Sequence, residues 1–188
     1  MKRKFILKGV LLIMSSVILL SSASCSSSSP DTIVTSFFSA IKDSDLIKAK
    51  SYLVDNDSTL EFSNERNKSI VVKVFSMMKY DIILTKINGD SAVVNVKVTT
   101  PDMGKITLKV INAVMEKVAK MSEDEMSIEI SDSEEIAEQF YNEMLSDPKV
   151  QMTTSELEIN LTKKNSKWLI KGDKKFKNVI TGNMIKAW

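Results

Sequence analysis

The stretch Tyr80–Thr99, YDIILTKINGDSAVVNVKVT, decides the fold class, because here the apolar pattern changes from a helical period to a period of two. Asn88-Gly89-Asp90 lies between two alternating runs, and Asn-Gly is a strong signal for a tight hairpin turn. The stretch therefore predicts an antiparallel hairpin. Strict alternation on its first strand puts Tyr80, Ile82 and Leu84 on one face, and Ile83, Thr85 and Ile87 on the other.

The residues before the hairpin follow helical spacing. Asp31 or Thr32 is expected to begin a first helix, and Asp43-Ser44-Asp45 ends it and begins a short second one through Leu53. Ser63 or Asn64 begins a third helix. The apolar stripes of the first and third helices are Ile33, Val34, Phe37, Phe38, Ile41, and Ile70, Val71, Val74, Phe75, Met78.

The residues after the hairpin return to helical spacing. Asp102 is expected to cap a helix, although the β-branched residues of 105–111 leave a strand open there. An acidic link over 123–133 precedes a further helix, which Asp147-Pro148 ends. The apolar positions of the first of these helices are Ile106, Val110, Val114, Met115 and Val118.

The C-terminal part alternates again. Thr153–Leu161 and Lys167–Lys171 are expected to pair as strands around a turn at 163–166, and a helical turn through Phe176 closes near Gly182. Helices, a hairpin, more helices and a second hairpin predict an α+β fold.

The first thirty residues have a different character. A basic start, the apolar run Gly9–Leu20 and the small residues of 21–24 are typical of a secretory signal peptide, since the run is shorter than the roughly 20 residues of a spanning helix. We therefore divide the chain into a signal at 1–24, a serine-rich tether at 25–30 and a domain at 31–188. A serine-rich segment of this length spans about 13 Å.

Ser22-Ala23-Ser24-Cys25 resembles the lipobox of bacterial lipoproteins. The family usually has Leu where this chain has Ser22. The resemblance implies cleavage between Ser24 and Cys25, fatty acyl chains of the palmitate type on Cys25, and attachment to the outer face of the cell membrane. An ordinary secreted protein is the alternative, because Ser22 and Ser24 also suit a signal peptidase that needs small residues.

Composition narrows the possible chemistry. The signal contains four of the 26 basic residues, Lys2, Arg3, Lys4 and Lys8. After its removal, 22 basic and 24 acidic residues give the chain a net charge of −2. We therefore expect no nucleic-acid partner. The chain has no histidine, which excludes Ser-His and Cys-His catalysis and the common zinc sites. We expect no cofactor and no bound metal.

Three motifs of the domain resemble the NTF2-like superfamily and, more closely, small Gram-positive lipoproteins of the DUF4878 and DUF5105 types. They are Phe37–Asp45 with Ala49 and Tyr52-Leu53, then Asp90–Val94, and Lys167–Ile170. The resemblance implies a curved antiparallel sheet that wraps around helices as a cone. The inserted helices near 102–147 depart from the minimal superfamily plan.

A cone of this kind can hold a ligand, and Tyr52, Phe75, Tyr80 and Trp168 are the candidate lining residues. The alternative is that these aromatic side chains are core. Asp81 is the candidate base of an enzyme, but it neighbours Tyr80 on a strand, so the two face opposite ways. We expect a non-catalytic module that binds a small ligand or an envelope protein; the alternative is an enzyme for a small substrate.

Overall fold

The computed structural model of the protein describes residues 28–120 and 130–184. Four antiparallel strands form one sheet in the order β1-β2-β3-β4. The strands are β1 Lys79–Asn88, β2 Ser91–Pro101, β3 Met152–Lys164 and β4 Lys167–Lys171. The helices are α1 Pro30–Lys42, α2 Leu46–Lys50, α3 Glu65–Ser76, α4 Met103–Ala119, α5 Ile130–Ser146 and α6 Lys174–Ile180. The predicted α+β class is confirmed.

Residues 105–111 form a helix and not a strand, because the cap before them and the spacing of the buried apolar residues both favour a helix. The Asp102 side chain accepts a hydrogen bond from the Lys105 backbone N–H at 3.2 Å, which satisfies a donor of the first turn. Met103, Ile106 and Val110 then recur at helical spacing and are all buried. The tertiary contacts of this face outweigh the β propensity of the segment.

The predicted hairpin is present, with Asn88 opposite Ser91 across a turn in which Gly89 has φ +57°. The faces assigned to its first strand are wrong beyond Ile82. A β-bulge lies between Ile82, which pairs with Val96, and Leu84, which pairs with Asn95. One extra residue reverses the alternation, so Leu84 lies on the outer face, and Ile87 lies on the same face as Tyr80.

The core fills the inner face of the sheet. The buried residues of the sheet are Ala92, Val94, Val96, Val98, Thr100, Pro101, Leu157, Ile159, Leu161, Trp168 and Ile170. Helices α1, α3 and α6 pack on this face. Phe37 of α1 lies 5.4 Å from Phe176 of α6, measured between ring centroids, and Phe38 stacks on Tyr80 at 4.6 Å. These rings join the first and last described helices to the sheet.

Strand β2 holds the two halves of the fold together. It pairs with β3 without a break, from Ser91 opposite Thr162 to Pro101 opposite Met152. Helices α4 and α5 lie between these two strands in the chain and pack on each other. Because they leave and rejoin the sheet at paired residues, both helices stand at one end of it.

The edge of β4 is covered by the segment that follows α2. Val54 N–H donates to the Ile170 carbonyl at 2.9 Å, and Ile170 N–H donates to the Tyr52 carbonyl at 2.8 Å. The Asp57 carboxylate accepts from Gly172 N–H at 2.7 Å. At the other edge, no strand of the described residues pairs with the outer side of β1.

Gly182 joins the end of α6 to the start of α4. Its carbonyl accepts a hydrogen bond from Met103 N–H at 3.0 Å, and its φ is +70°. A β-carbon at this position would collide with the Pro101 carbonyl oxygen and the Met103 side chain. The position therefore needs glycine for its conformation and for the space around it.

We expect Gly182→Ala to lower the free energy of unfolding by at least about 3 kcal/mol, since strain and a backbone collision add. Gly89→Ala is the matched control, because Gly89 also has a positive φ but has no atom near its missing β-carbon. It should cost about 1 kcal/mol, the conformational strain alone. Urea unfolding followed by circular dichroism measures both; equal losses would contradict the role of close packing at Gly182.

Candidate functional site

The four aromatic residues predicted as pocket lining lie in or against the core. Phe75 is fully buried, and Trp168 is 5% exposed with the Lys163 Nζ 5.6 Å from its ring centroid. Tyr52 and Tyr80 are half-buried and pack on the same core cluster. The four side chains line none of the three surface depressions described below.

Asp81 and Tyr80 face opposite sides of the sheet. Tyr80 pairs with the buried Val98, while Asp81 pairs with the exposed Lys97 on the outer face. The Tyr80 hydroxyl points to α1, where it donates to the Thr35 carbonyl at 3.5 Å. The carboxylate and the phenol therefore do not share a site.

Charged groups of the described residues form surface ion pairs. No group of three or more histidine, cysteine, aspartate or glutamate side chains in this part of the chain is placed to hold a metal ion. A hydrogen bond from Lys120, reinforced by its positive charge, lowers the pKa of Glu116. Because Glu116 is exposed, this is a property of a solvated pair.

The first depression lies between α3 and α5 and has a volume of about 490 Å³. Arg66 of α3 bridges both carboxylates of α5 in it, since its guanidinium contacts Glu134 and also Glu138, the latter at 2.8 Å. Because these two carboxylates offset its charge, Arg66 links α3 to α5 by ion pairs, and we name this arrangement the Arg66 clamp. The lining residues are Asn64, Glu65, Arg66, Ser69, Glu134 and Glu138.

The second depression, of about 540 Å³, lies beside α2 and the start of α3. It has an apolar floor at Leu60 and a rim that carries two lysines and two glutamates. Ile47 on its rim is 87% exposed. The lining residues are Leu46, Ile47, Lys50, Leu60, Glu61, Phe62, Glu65 and Lys68.

The third depression, of about 390 Å³, lies between α4 and the segment that joins α5 to β3. Three lysines and one carboxylate line it, so its potential is positive. Its lining residues are Lys105, Ile106, Lys109, Met144, Asp147, Lys149, Val150 and Gln151.

Helix α4 carries a second apolar face, which the sequence interpretation missed. Leu108, Ile111 and Met115, which we name the α4 stripe, are 62%, 48% and 65% exposed. Met115 is one of the apolar positions predicted for this helix, but it is exposed, whereas Ile106 and Val110 are buried. The i, i+3, i+7 spacing of the α4 stripe is visible in the sequence, but the spacing does not indicate which of two stripes is buried.

Cys25, the cleavage position after Ser24 and the signal at 1–24 lie outside the described residues, so these predictions stay predictions. Among residues 28–120 and 130–184, no helix has both the length and the apolar character needed to cross a bilayer.

Comparison with known proteins finds no family model and no curated protein that matches the chain. One similar solved structure is the crystal structure of a putative lipoprotein, ycdA, from Bacillus subtilis. It is 19% identical, the match covers 85% of this chain and 48% of that one, and the TM-score is 0.47. The chain therefore spans about half the length of that protein, and a likeness at this level carries no inference about function.

Arg66→Met should lower the free energy of unfolding by about 1 kcal/mol, because two half-exposed carboxylates of α5 lose their partner. The loss should shrink in 0.5 M salt, roughly where screening shortens the Debye length to a few Å. Lys68→Met is the matched control on the same helix, since Lys68 forms an ion pair with the exposed Glu65, at 2.9 Å. It should cost about 0.3 kcal/mol.

Urea unfolding at low and high salt measures both variants. Equal, salt-independent losses would show that Arg66 contributes through the packing of its stem and not through its charge.

Proposed function

We propose that the chain is a bacterial lipoprotein, acylated at Cys25 and held at the outer face of the cell membrane, whose domain at 31–188 is a non-catalytic module for an envelope partner or a small ligand. The observation that carries the proposal is the place of the single cysteine. It ends a signal-like segment and precedes a run of serines. A free thiol at this position would be open to oxidation in an exported protein, whereas an acylated cysteine would anchor the chain to the membrane.

The residue at which the folded domain begins supports this division of the chain. Helix α1 starts at Pro30, directly after the serine-rich segment, and Ser29 is its N-cap. Every member of the core cluster lies between Val34 and Met184. The described residues form this core among themselves, so we expect residues 28–188 to fold as a domain of their own.

A filled inner face favours a partner over an enclosed small molecule. Val94, Val96 and Ile159 are at most 1% exposed, and helices α1, α3 and α6 cover the concave side where an NTF2-like cone would hold a ligand. Phe75 and Trp168 contribute to this packing. We assign the domain to the NTF2-like, DUF4878 and DUF5105 types on its sequence motifs, and the curved, open antiparallel sheet is compatible with that assignment.

Cys25→Ser should abolish acylation, because an oxygen replaces the sulfur that forms the thioether. In the bacterial host, the variant should be found in the medium or as an uncut precursor, while the natural protein partitions into the detergent phase. Two acyl chains hold far more firmly than the marginal anchoring of one, at about 0.8 kcal/mol per buried CH₂. Detergent partitioning of both proteins and mass spectrometry of the N-terminal peptide measure this. The lipoprotein proposal would be overturned if the variant partitioned like the natural protein and Cys25 of the natural protein were unmodified.

Native mass spectrometry of the purified natural protein tests the nature of the module. We expect the mass of the acylated chain with no additional small molecule, since α1, α3 and α6 bury the inner face of the sheet. A retained small molecule would contradict partner binding and would favour the small ligand of the proposal or, alternatively, an enzyme site.

A further inference from the structure

We propose that two copies of the chain associate through strand β1, paired antiparallel about a twofold axis, so that their two sheets become one. The interaction surface is the side of β1 that faces away from β2, which we name the free edge. No strand of residues 28–120 and 130–184 pairs with it. An open strand edge is a template for a further strand. The inference goes beyond the proposed function and does not depend on the acylation of Cys25.

The hydrogen bonds of the sheet decide which residues of β1 turn their backbone to the free edge. Lys163 N–H donates to the Asp90 carbonyl at 2.8 Å, so Asp90 and the even-numbered residues of β2 point to β3, and the odd-numbered ones point to β1. Residues of β1 that lie opposite even-numbered residues therefore present their N–H and C=O groups at the free edge. These residues are Tyr80, Ile82, Thr85 and Ile87, opposite Val98, Val96, Val94 and Ala92.

The β-bulge makes a second copy a better partner for the free edge than a regular strand. Because the bulge adds one residue after Ile82, the four edge-directed residues follow one another at intervals of two, three and two positions. A regular strand matches this spacing on only one side of the bulge. A second β1 has the same spacing when it is reversed. Antiparallel pairing then places Tyr80 opposite Ile87 and Ile82 opposite Thr85, with the two bulges side by side at the axis.

The charges of β1 fit this register. It places Asp81 of each copy opposite Lys86 of the other, and both residues are exposed on the outer face. Among the residues that the structure describes, neither takes part in an ion pair. Opposite charges across an antiparallel pair stabilise it, and like charges destabilise it. A register centred on Asp81 or on Lys86 would place like charges face to face and would pair only half of the strand.

Exposed apolar side chains lie where this register brings the copies together. Ile83, Leu84 and Ile87 are 56%, 45% and 58% exposed. Ile83 and Leu84 of both copies lie next to the axis, and Ile87 lies beside the half-buried Tyr80 of the other copy. Pairing removes part of this apolar surface from water, and an aromatic side chain beside a β-branched one is a favourable cross-strand pair. The backbone, the charges and the apolar side chains of the free edge therefore all match a second copy.

Charge reversal in the full-length protein, purified in a non-ionic detergent, tests the proposal. The natural chain should show a concentration-dependent dimer in analytical ultracentrifugation. Asp81→Lys should raise the dissociation constant of this dimer about tenfold, since two attractions become two repulsions. Adding Lys86→Asp to it exchanges the two charges and should return the constant to within about threefold of the natural value. Glu158→Lys is the matched control, because Glu158 is exposed on the outer face of β3, away from the free edge, and should change the constant by less than about twofold.

Cysteine cross-linking tests the register. Asp81→Cys combined with Lys86→Cys should give a disulfide-linked dimer after oxidation with diamide, because these positions of the two copies would have Cα atoms about 4.5 Å apart, within disulfide range. Each single variant should give little of this dimer, since its thiol would lie more than about 15 Å from the same position of the other copy. The natural chain, which has Cys25 alone, measures the background.

A natural chain that stays monomeric at every concentration would overturn the proposal, and so would a charge exchange that restores nothing. Single cysteine variants that cross-link as fully as the double variant would also overturn it, since the copies would then meet in another way. Circular dichroism checks that each variant is folded. Every variant keeps Cys25, so these results do not depend on acylation, and a failure of the lipoprotein proposal would be seen in detergent partitioning instead.

Discussion

The pairing of β2 with β3 is the interaction on which the rest of the structure depends. It joins residues about 50 to 70 apart in the chain, and it runs unbroken from Ser91 opposite Thr162 to Pro101 opposite Met152. Each half of the sheet alone is a two-stranded hairpin, which is marginal in water. Joined, the four strands present one apolar face that α1, α3 and α6 can cover.

This pairing also decides where the remaining helices lie. Because Pro101 and Met152 face each other, the chain between them must leave and return at the same end of the sheet. Its two helices pack on each other there, and α5 reaches back to α3 through the Arg66 clamp. Only one side of α4 then meets the core, so its second apolar side remains at the surface.

Much of the fold could be predicted from local pattern. The hairpin turn at Asn88-Gly89, the Asp102 cap and the helix through Phe37 and Phe38 follow from short-range chemistry, and all are present. The β-bulge after Ile82 was not predicted, because a bulge adds one residue without changing composition and so reverses the faces of Leu84 and Ile87. The candidate pocket residues were recognisable as aromatic, but their depth in the core depends on residues far along the chain.

The sequence by itself determined the periods, the hairpin turn, the cap at Asp102, the lack of histidine and the place of Cys25, because each of these is a property of neighbouring residues or of composition. The start of the first helix was predicted at Asp31 or Thr32, whereas Ser29 is its N-cap. Only the tertiary structure decided which apolar stripe of α4 is buried and that the concave side of the sheet is filled. Spacing along a helix shows that a face is apolar, but burial depends on what lies opposite, and here that is set by the long-range pairing of β2 with β3.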